Sequence, residues 1–199
     1  MTKIVLATGN RGKVRELKKL LENMPVEVLS LADFPELPEV VEDGSTFAEN
    51  ALKKARQISR ATGLLTLADD SSLEVDFLGG APGVHSARFA GPRKSDADNN
   101  QKLLELLKDV PEEKRTARFR CVIAVAAPGA RVETAEGTCE GIVGFAPKGE
   151  GGFGYDPLFY VPEFGRTFAE LSMDIKNKIS HRGKALIKAR DILEEMLRD

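Results

Sequence analysis

The stretch Ile4-Val5-Leu6-Ala7-Thr8-Gly9-Asn10-Arg11-Gly12-Lys13 passes from apolar to glycine-rich and basic without a break. Lys3 to Ala7 is short and apolar, and reads as a buried strand. Beyond it, Val14, Leu17, Leu21 and Met24 fall on one helical face, so a helix is predicted to start just after Gly12 and stop near Pro25. Strand, glycine turn and helix in that order aim backbone N–H groups at an anion.

The rest of the chain continues the alternation. Val26 to Ser30 reads as a second strand. Asp33 to Gly44, with Pro35, Pro38 and acids including Glu36, Glu39, Glu42 and Asp43, reads as an exposed loop. Thr46 with Glu49 is a capping-box pattern, and Phe47, Ala51, Leu52, Ala55 and Ile58 carry a helix to about Thr62, where Gly63 stops it. Leu64 to Ala68 is predicted to be a strand that delivers Asp69 and Asp70 at its end. Gly79 to Gly91 reads as irregular. Ser95 to Asp98 caps a helix through Leu103, Leu104 and Leu107. Thr116 to Ala126 alternates as a half-buried strand, with Val132 to Val143 as its antiparallel neighbour. Thr167 to Lys178 and Ser180 to Met196 are predicted helices, the last turning Ala185, Leu186, Ala189, Ile192, Leu193 and Met196 inward. No repeat, low-complexity tract or linker interrupts 1–199, which reads as α/β with a mixed sheet.

Composition narrows the function classes. Net charge is −2 and aromatics are 6% with no Trp, which argues against nucleic acid as a partner. No run approaches the ~20 apolar residues of a membrane span. The first strand begins by Lys3 and leaves no room for a signal peptide, so a cytoplasmic location is expected. Cys121 and Cys139 match no metal spacing and read as reduced core residues; the other reading has them facing each other on paired strands.

Four segments carry the chemistry. In Thr8 to Lys13 the glycines permit close backbone approach, and Arg11 and Lys13 supply charge. The segment is not a Walker A loop: two residues separate its glycines, and Val14 follows the lysine. Alone it is equally an ordinary strand-to-helix turn. Asp69 and Asp70 are adjacent on a strand and point to opposite faces, so they need not act together; either can ligate a metal or brace a loop. Glu39 or Glu42 can add a ligand, although a solvated acidic loop explains most of that segment's charge. In Gly151-Gly152-Phe153-Gly154-Tyr155-Asp156-Pro157 an aromatic flanked by glycines can stack on a flat base, with Asp156 accepting from a ring nitrogen; a tight turn with core aromatics is the plainer reading. Lys176 precedes Ser180-His181-Arg182-Gly183, where two cations at a helix start are easier to explain beside an electron-rich ligand.

Taken in order, Thr8-Gly9-Asn10 with Gly12-Lys13, Ala68-Asp69-Asp70-Ser71, Gly79-Gly80-Ala81-Pro82-Gly83 with Ser86-Ala87-Arg88, Gly152-Phe153-Gly154-Tyr155-Asp156-Pro157 and Ser180-His181-Arg182-Gly183 resemble the inosine triphosphate pyrophosphatase family, from residue 3 to about 196. The resemblance implies a twisted mixed sheet with helices on both faces, two lobes around a central nucleotide-binding cleft, and a homodimer. It implies Mg²⁺-dependent hydrolysis of ITP, dITP and XTP to the monophosphate and pyrophosphate. Asp70 would be general base and metal ligand, joined by Glu39 or Glu42. Thr8, Gly9, Asn10, Arg11, Gly12, Lys13, Ser71 and Lys176 would meet the triphosphate. Phe153, Gly154, Tyr155 and Asp156, with His181 and Arg182, would hold the base. The family usually reads Asp-Ser-Gly where this chain has Asp70-Ser71-Ser72, so backbone strain is expected at Ser72 if that position needs positive φ. Two rival readings remain: a pyrophosphatase for modified pyrimidine nucleotides, separable by UTP and dTTP turnover, and a non-catalytic nucleotide sensor.

Overall fold

The computed structural model describes residues 2–37, 40–93, 95–129 and 131–198. The strands are β1 (Thr2–Leu6), β2 (Val26–Ser30), β3 (Leu65–Val75), β4 (Thr116–Ala126), β5 (Val132–Val143), β6 (Phe159–Val161) and β7 (Arg166–Thr167). They form one seven-stranded sheet in the order β2-β1-β3-β4-β5-β6-β7. β1 runs parallel to β2 and β3, with Ile4 opposite Leu65, whereas β6 is antiparallel to β5 and β7, so the sheet is mixed. The helices are α1 (Arg11–Leu21), α2 (Phe47–Thr62), α3 (Asp96–Leu106), α4 (Met173–Ile179) and α5 (His181–Met196).

The chain divides into two compact units, the first being Met1–Asp70, Cys121–Gly137 and His181–Asp199, the second Ser71–Arg120 and Thr138–Ser180. In the first unit, strand alternation sorts the core. Ile4, Leu6, Cys121, Ile123 and Val125 face Leu17 and Leu21 of α1 and Ala185, Leu186 and Ala189 of α5. Val5, Ala7, Val122, Ala124 and Ala126 face Ala51, Ala55 and Ile58 of α2. Helices therefore cover both faces there, and the strands read as near-continuous apolar runs because neither face meets water.

The second unit packs Leu73 and Val75 with Leu103, Leu107, Phe119, Phe159 and Phe168. Arg115, 1% exposed, donates Nε to the Val110 carbonyl (2.9 Å), Nη1 to that of Gly144 (2.9 Å) and Nη2 to that of Leu107 (2.5 Å). It joins the end of α3 to the end of β5 through these backbone oxygens, and its guanidinium carbon lies 3.8 Å from the Phe145 ring centroid.

Three expectations change. Asp69 and Asp70 lie in mid-strand, because β3 continues to Val75 instead of ending at Ala68. Ser72 is therefore extended, and the expected strain is absent; the residue is buried instead, with Oγ unpartnered among the described residues. The helix predicted over Thr167 to Lys178 is broken: β7 ends at Thr167, a 3-10 turn covers Phe168–Glu170, and α4 starts only after its cap Ser172. Cys121 and Cys139 are both free and buried.

Candidate functional site

In the first unit, α1 starts at Arg11, earlier than the apolar spacing suggests, because Asn10 is its cap. Asn10 Oδ1 accepts from the backbone N–H of Gly12 (2.9 Å) and Lys13 (3.1 Å), and Thr8 Oγ1 accepts from Asn10 N (3.2 Å). The turn is thus held by its own side chains, with Gly9, Asn10 and Arg11 exposed and Gly12 buried. This capping fixes the direction in which α1 presents Lys13.

Lys13 Nζ forms an ion pair with Asp69 Oδ1. Asp69 Oδ2 accepts from Arg182 Nε (2.9 Å) and Cys121 Sγ (3.0 Å), and Arg182 Nη1 donates to Glu16 Oε2 (2.5 Å). Lys13, Asp69, Arg182 and Glu16 make an alternating row of charges, three of them buried. Burial is the largest influence on Asp69 and pushes its carboxyl up, but Arg182 and Lys13, with the Cys121 hydrogen bond, overcome it and hold the group well below the ordinary 3.8. Burial, then the Asp69 charge, pushes the Cys121 thiol up, so it stays neutral.

Asp70 points to the other face. Lys54 of α2 donates Nζ to Glu42 Oε1 (2.8 Å) and to the Asp69 carbonyl (2.8 Å), and stands 3.8 Å from Asp70 Oδ1. Burial dominates at Asp70 and raises its pKa above 3.8; Glu42 and Asp69 add to that rise, while Lys54 and Lys13 oppose it without cancelling it. Burial lowers Lys54, but Asp70 and Glu42 more than offset it, and the ammonium is retained. Two neighbouring aspartates are therefore pushed apart: the carboxyl of Asp69 is shifted down and that of Asp70 up. Such a split marks an acid–base candidate, because the raised member can exchange a proton nearer neutrality.

Among the described residues no group of three or more His, Cys, Asp or Glu is placed to hold a metal ion. Asp70 and Glu42, which share Lys54, offer two carboxylates, and one or two completed by water and ligand oxygens is the usual Mg²⁺ arrangement. Glu39, the other expected ligand, lies outside the described residues.

The second unit carries the aromatic turn. Asp156 Oδ2 accepts from Phe153 N (2.9 Å) and from Lys176 Nζ (2.5 Å), and both charged side chains are buried. Lys176 Nζ lies 5.0 Å from the Phe153 ring centroid and 5.5 Å from that of Phe168. Gly152 has φ +71, and a Cβ there would stand 2.0 Å from Asp156 Oδ2, so only glycine leaves room for the carboxylate. Tyr155 faces inward: its hydroxyl donates to the Ser86 carbonyl (2.7 Å), and burial raises its pKa. Ser71, the first residue of this unit, is half-buried.

The expected residues are thus distributed by unit. Lys13, Asp70 and Glu42 share charged neighbours in the first, and Phe153, Asp156 and Lys176 cluster in the second. His181 and Arg182 are buried at the start of α5 in the first unit, Arg182 against Asp69 and Glu16. Lys54 and Glu16 escape a reading of motifs. The signal for each is position: Lys54 lies on the same helical stripe as Ala51 and Ile58, and Glu16 beside Leu17, where a buried charge requires a partner.

Residues 4–192 match the Ham1 family. A protein of Desulforamulus reducens named dITP/XTP pyrophosphatase is 62% identical over 98% of this chain and 96% of its own length. The solved structure of a HAM1 protein from Coxiella burnetii is 44% identical and superposes with a TM-score of 0.87, covering 98% of this chain and 100% of that one. The Staphylococcus aureus Ham1 protein gives 40% identity and a TM-score of 0.85 over 98% and 99% of the two chains. With matches this long at both the sequence and the fold level, the chain belongs to the Ham1 family.

Proposed function

We propose that the protein is a nucleoside triphosphate pyrophosphatase that hydrolyses the non-standard purine nucleotides ITP, dITP and XTP to monophosphate and pyrophosphate, in the cytoplasm and as a homodimer. All of 1–199 serves as one functional domain. The observation that carries the reading is the split aspartate pair, set in a chain whose relatives are named dITP/XTP pyrophosphatase.

Asp70 takes a proton from the water that attacks the α-phosphorus. A new P–O bond forms, and the bond from that phosphorus to the oxygen bridging to the β-phosphate breaks. Pyrophosphate departs with the electron pair. Lys13, steadied by Asp69, and Arg11 offset the charge gathering on the leaving group, while the backbone from Thr8 to Gly12 and Ser71 contact the triphosphate. Asp70, with Glu39 or Glu42, would hold Mg²⁺, which would neutralise charge on the phosphate oxygens. Phe153 stacks on the base, Gly154 lets it approach, Asp156 accepts from a ring nitrogen, and Tyr155 anchors the turn. Lys176, assigned to the triphosphate by the resemblance, pairs with Asp156 beside the Phe153 ring, and in this reading it donates instead to a 6-keto oxygen, with His181 and Arg182 completing the base contacts. Adenine's amino group would leave that donor unpaired, a penalty of about 1–3 kcal/mol.

A pyrophosphate-release screen over ITP, dITP, XTP, ATP, GTP, UTP and dTTP tests the reading. Turnover concentrated on the deaminated purines is expected. Equal rates across the panel would end the selectivity claim, preference for UTP or dTTP would favour pyrimidine substrates, and tight ITP binding without release would make the protein a sensor.

A further inference from the structure

In the second unit, one helix holds both polar groups of a single residue in the aromatic turn. Asp96 Oδ2 accepts from Gly154 N (2.7 Å), and Asn100 Nδ2 donates to the Gly154 carbonyl (2.9 Å). Asp96 and Asn100 are one helical turn apart on α3 and share a face. Gly154 itself has φ +61, a conformation that glycine adopts without steric cost. The residue it follows is Phe153, whose own N–H is fixed by Asp156. The residue after it, Tyr155, donates to the Ser86 carbonyl, which also accepts from Asn99 Nδ2 of the same helix at 3.4 Å. Phe153 is therefore pinned on one side by Asp156 and on the other by α3.

We propose that Asp96 and Asn100 are positioning residues that set the angle of the Phe153 ring for a purine base and so sharpen discrimination between bases. They act through Gly154 and touch no substrate. The inference rests on the reading of Phe153 as the base platform. A stacking surface discriminates only when it is held still, since a ring free to tilt adapts to the wrong base as readily as to the right one. The competing explanation for Asp96 is its charge in the first turn of α3, which the helix dipole favours wherever the turn sits. The two differ in one respect: an asparagine keeps the acceptor oxygen and loses the charge.

The experiment uses the full chain and compares wild type with Asp96→Ala, Asp96→Asn and Asn100→Ala. Hydrogen exchange at the Gly154 amide and steady-state kinetics with ITP and ATP are both measured. In Asp96→Ala the amide is expected to exchange about 5- to 10-fold faster, KM for ITP to rise by a similar factor, and the ITP-to-ATP preference to shrink, with kcat within about twofold. Asp96→Asn should restore all of these, and Asn100→Ala should raise KM without changing the fold. Unchanged exchange in Asp96→Ala would overturn the clamp. So would an asparagine variant that behaves like the alanine one, because charge and not the acceptor would then matter. Faster exchange with wild-type KM and preference would locate the failure in the reading of Phe153, leaving α3 as a brace alone.

Discussion

At the scale of single residues, the informative contrast is between neighbours. Asp69 and Asp70 have the same side chain and adjacent positions, yet strand alternation sends one toward Arg182 and Cys121 and the other toward Lys54. Their pKa values move in opposite directions as a result. The sign for stability follows. Asp69 is depressed, so its contribution is complete above about 3.8 and fades only as pH falls through its much lower folded value. Asp70 is raised, so burial charges a cost on its ionised form at neutral pH, and acid relieves it. If Asp70 is the base, Asp70→Asn should lower kcat by about 10²–10⁴-fold. Without Mg²⁺, burial should hold the Asp70 carboxyl above the 3.8 of an ordinary aspartate. Carboxyl NMR of the metal-free protein, with Asp70→Asn to assign the signal, checks this, and a value at or below 3.8 would remove the split between the two aspartates.

At the scale of elements, local chemistry was legible where the backbone itself needs a particular side chain. Thr46 and Glu49 form the capping box expected of them, and Gly63 ends α2 with φ +67. β2, β4 and β5 have the bounds read from alternation and apolar runs. Legibility failed where tertiary context decides. The Asp69-Asp70 pair resembles a strand end because two acids are costly to bury, and the partners Lys13 and Arg182 at Asp69 and Lys54 at Asp70, all distant in the chain, let β3 continue. The stretch at 167–178 has helical residues throughout, but its first part closes a 3-10 turn through the Thr167–Glu170 capping box, and Ser172 restarts the helix. The candidate site divides the same way: Lys13, Asp70 and Phe153 are visible as motif residues, whereas Lys54, Glu16 and Asp96 are identified only by what they touch. Arg115 is the extreme case, a buried cation whose hydrogen bonds among the described residues all go to carbonyls. Arg115→Met should cost about 3 kcal/mol in urea unfolding, because oxygens at the ends of α3 and β5 lose a charged donor. A loss below about 0.5 kcal/mol, the range of an ordinary surface substitution, would show the contacts to be incidental.

At the scale of the whole molecule, the chain is nearly neutral overall, with net charge −2, while Glu16, Asp69, Asp156, Lys176 and Arg182 carry buried side chains. Among the described residues, no helix is long and apolar enough to cross a membrane. The proposed chemistry asks the protein for only two carboxylates toward a cation, so affinity for the ion should be modest in the absence of nucleotide. Chelation with EDTA should therefore reduce pyrophosphate release from ITP to background and leave the unfolding midpoint nearly unchanged, with added Mg²⁺ restoring the rate. Full activity in EDTA would remove the cation from the proposal. A further property follows from the long strands. β3, β4 and β5 each belong partly to one unit and partly to the other, the boundaries falling after Asp70, Arg120 and Gly137. Neither portion corresponds to an uninterrupted stretch of gene. Each unit therefore completes its fold only after segments from separate parts of the chain have come together.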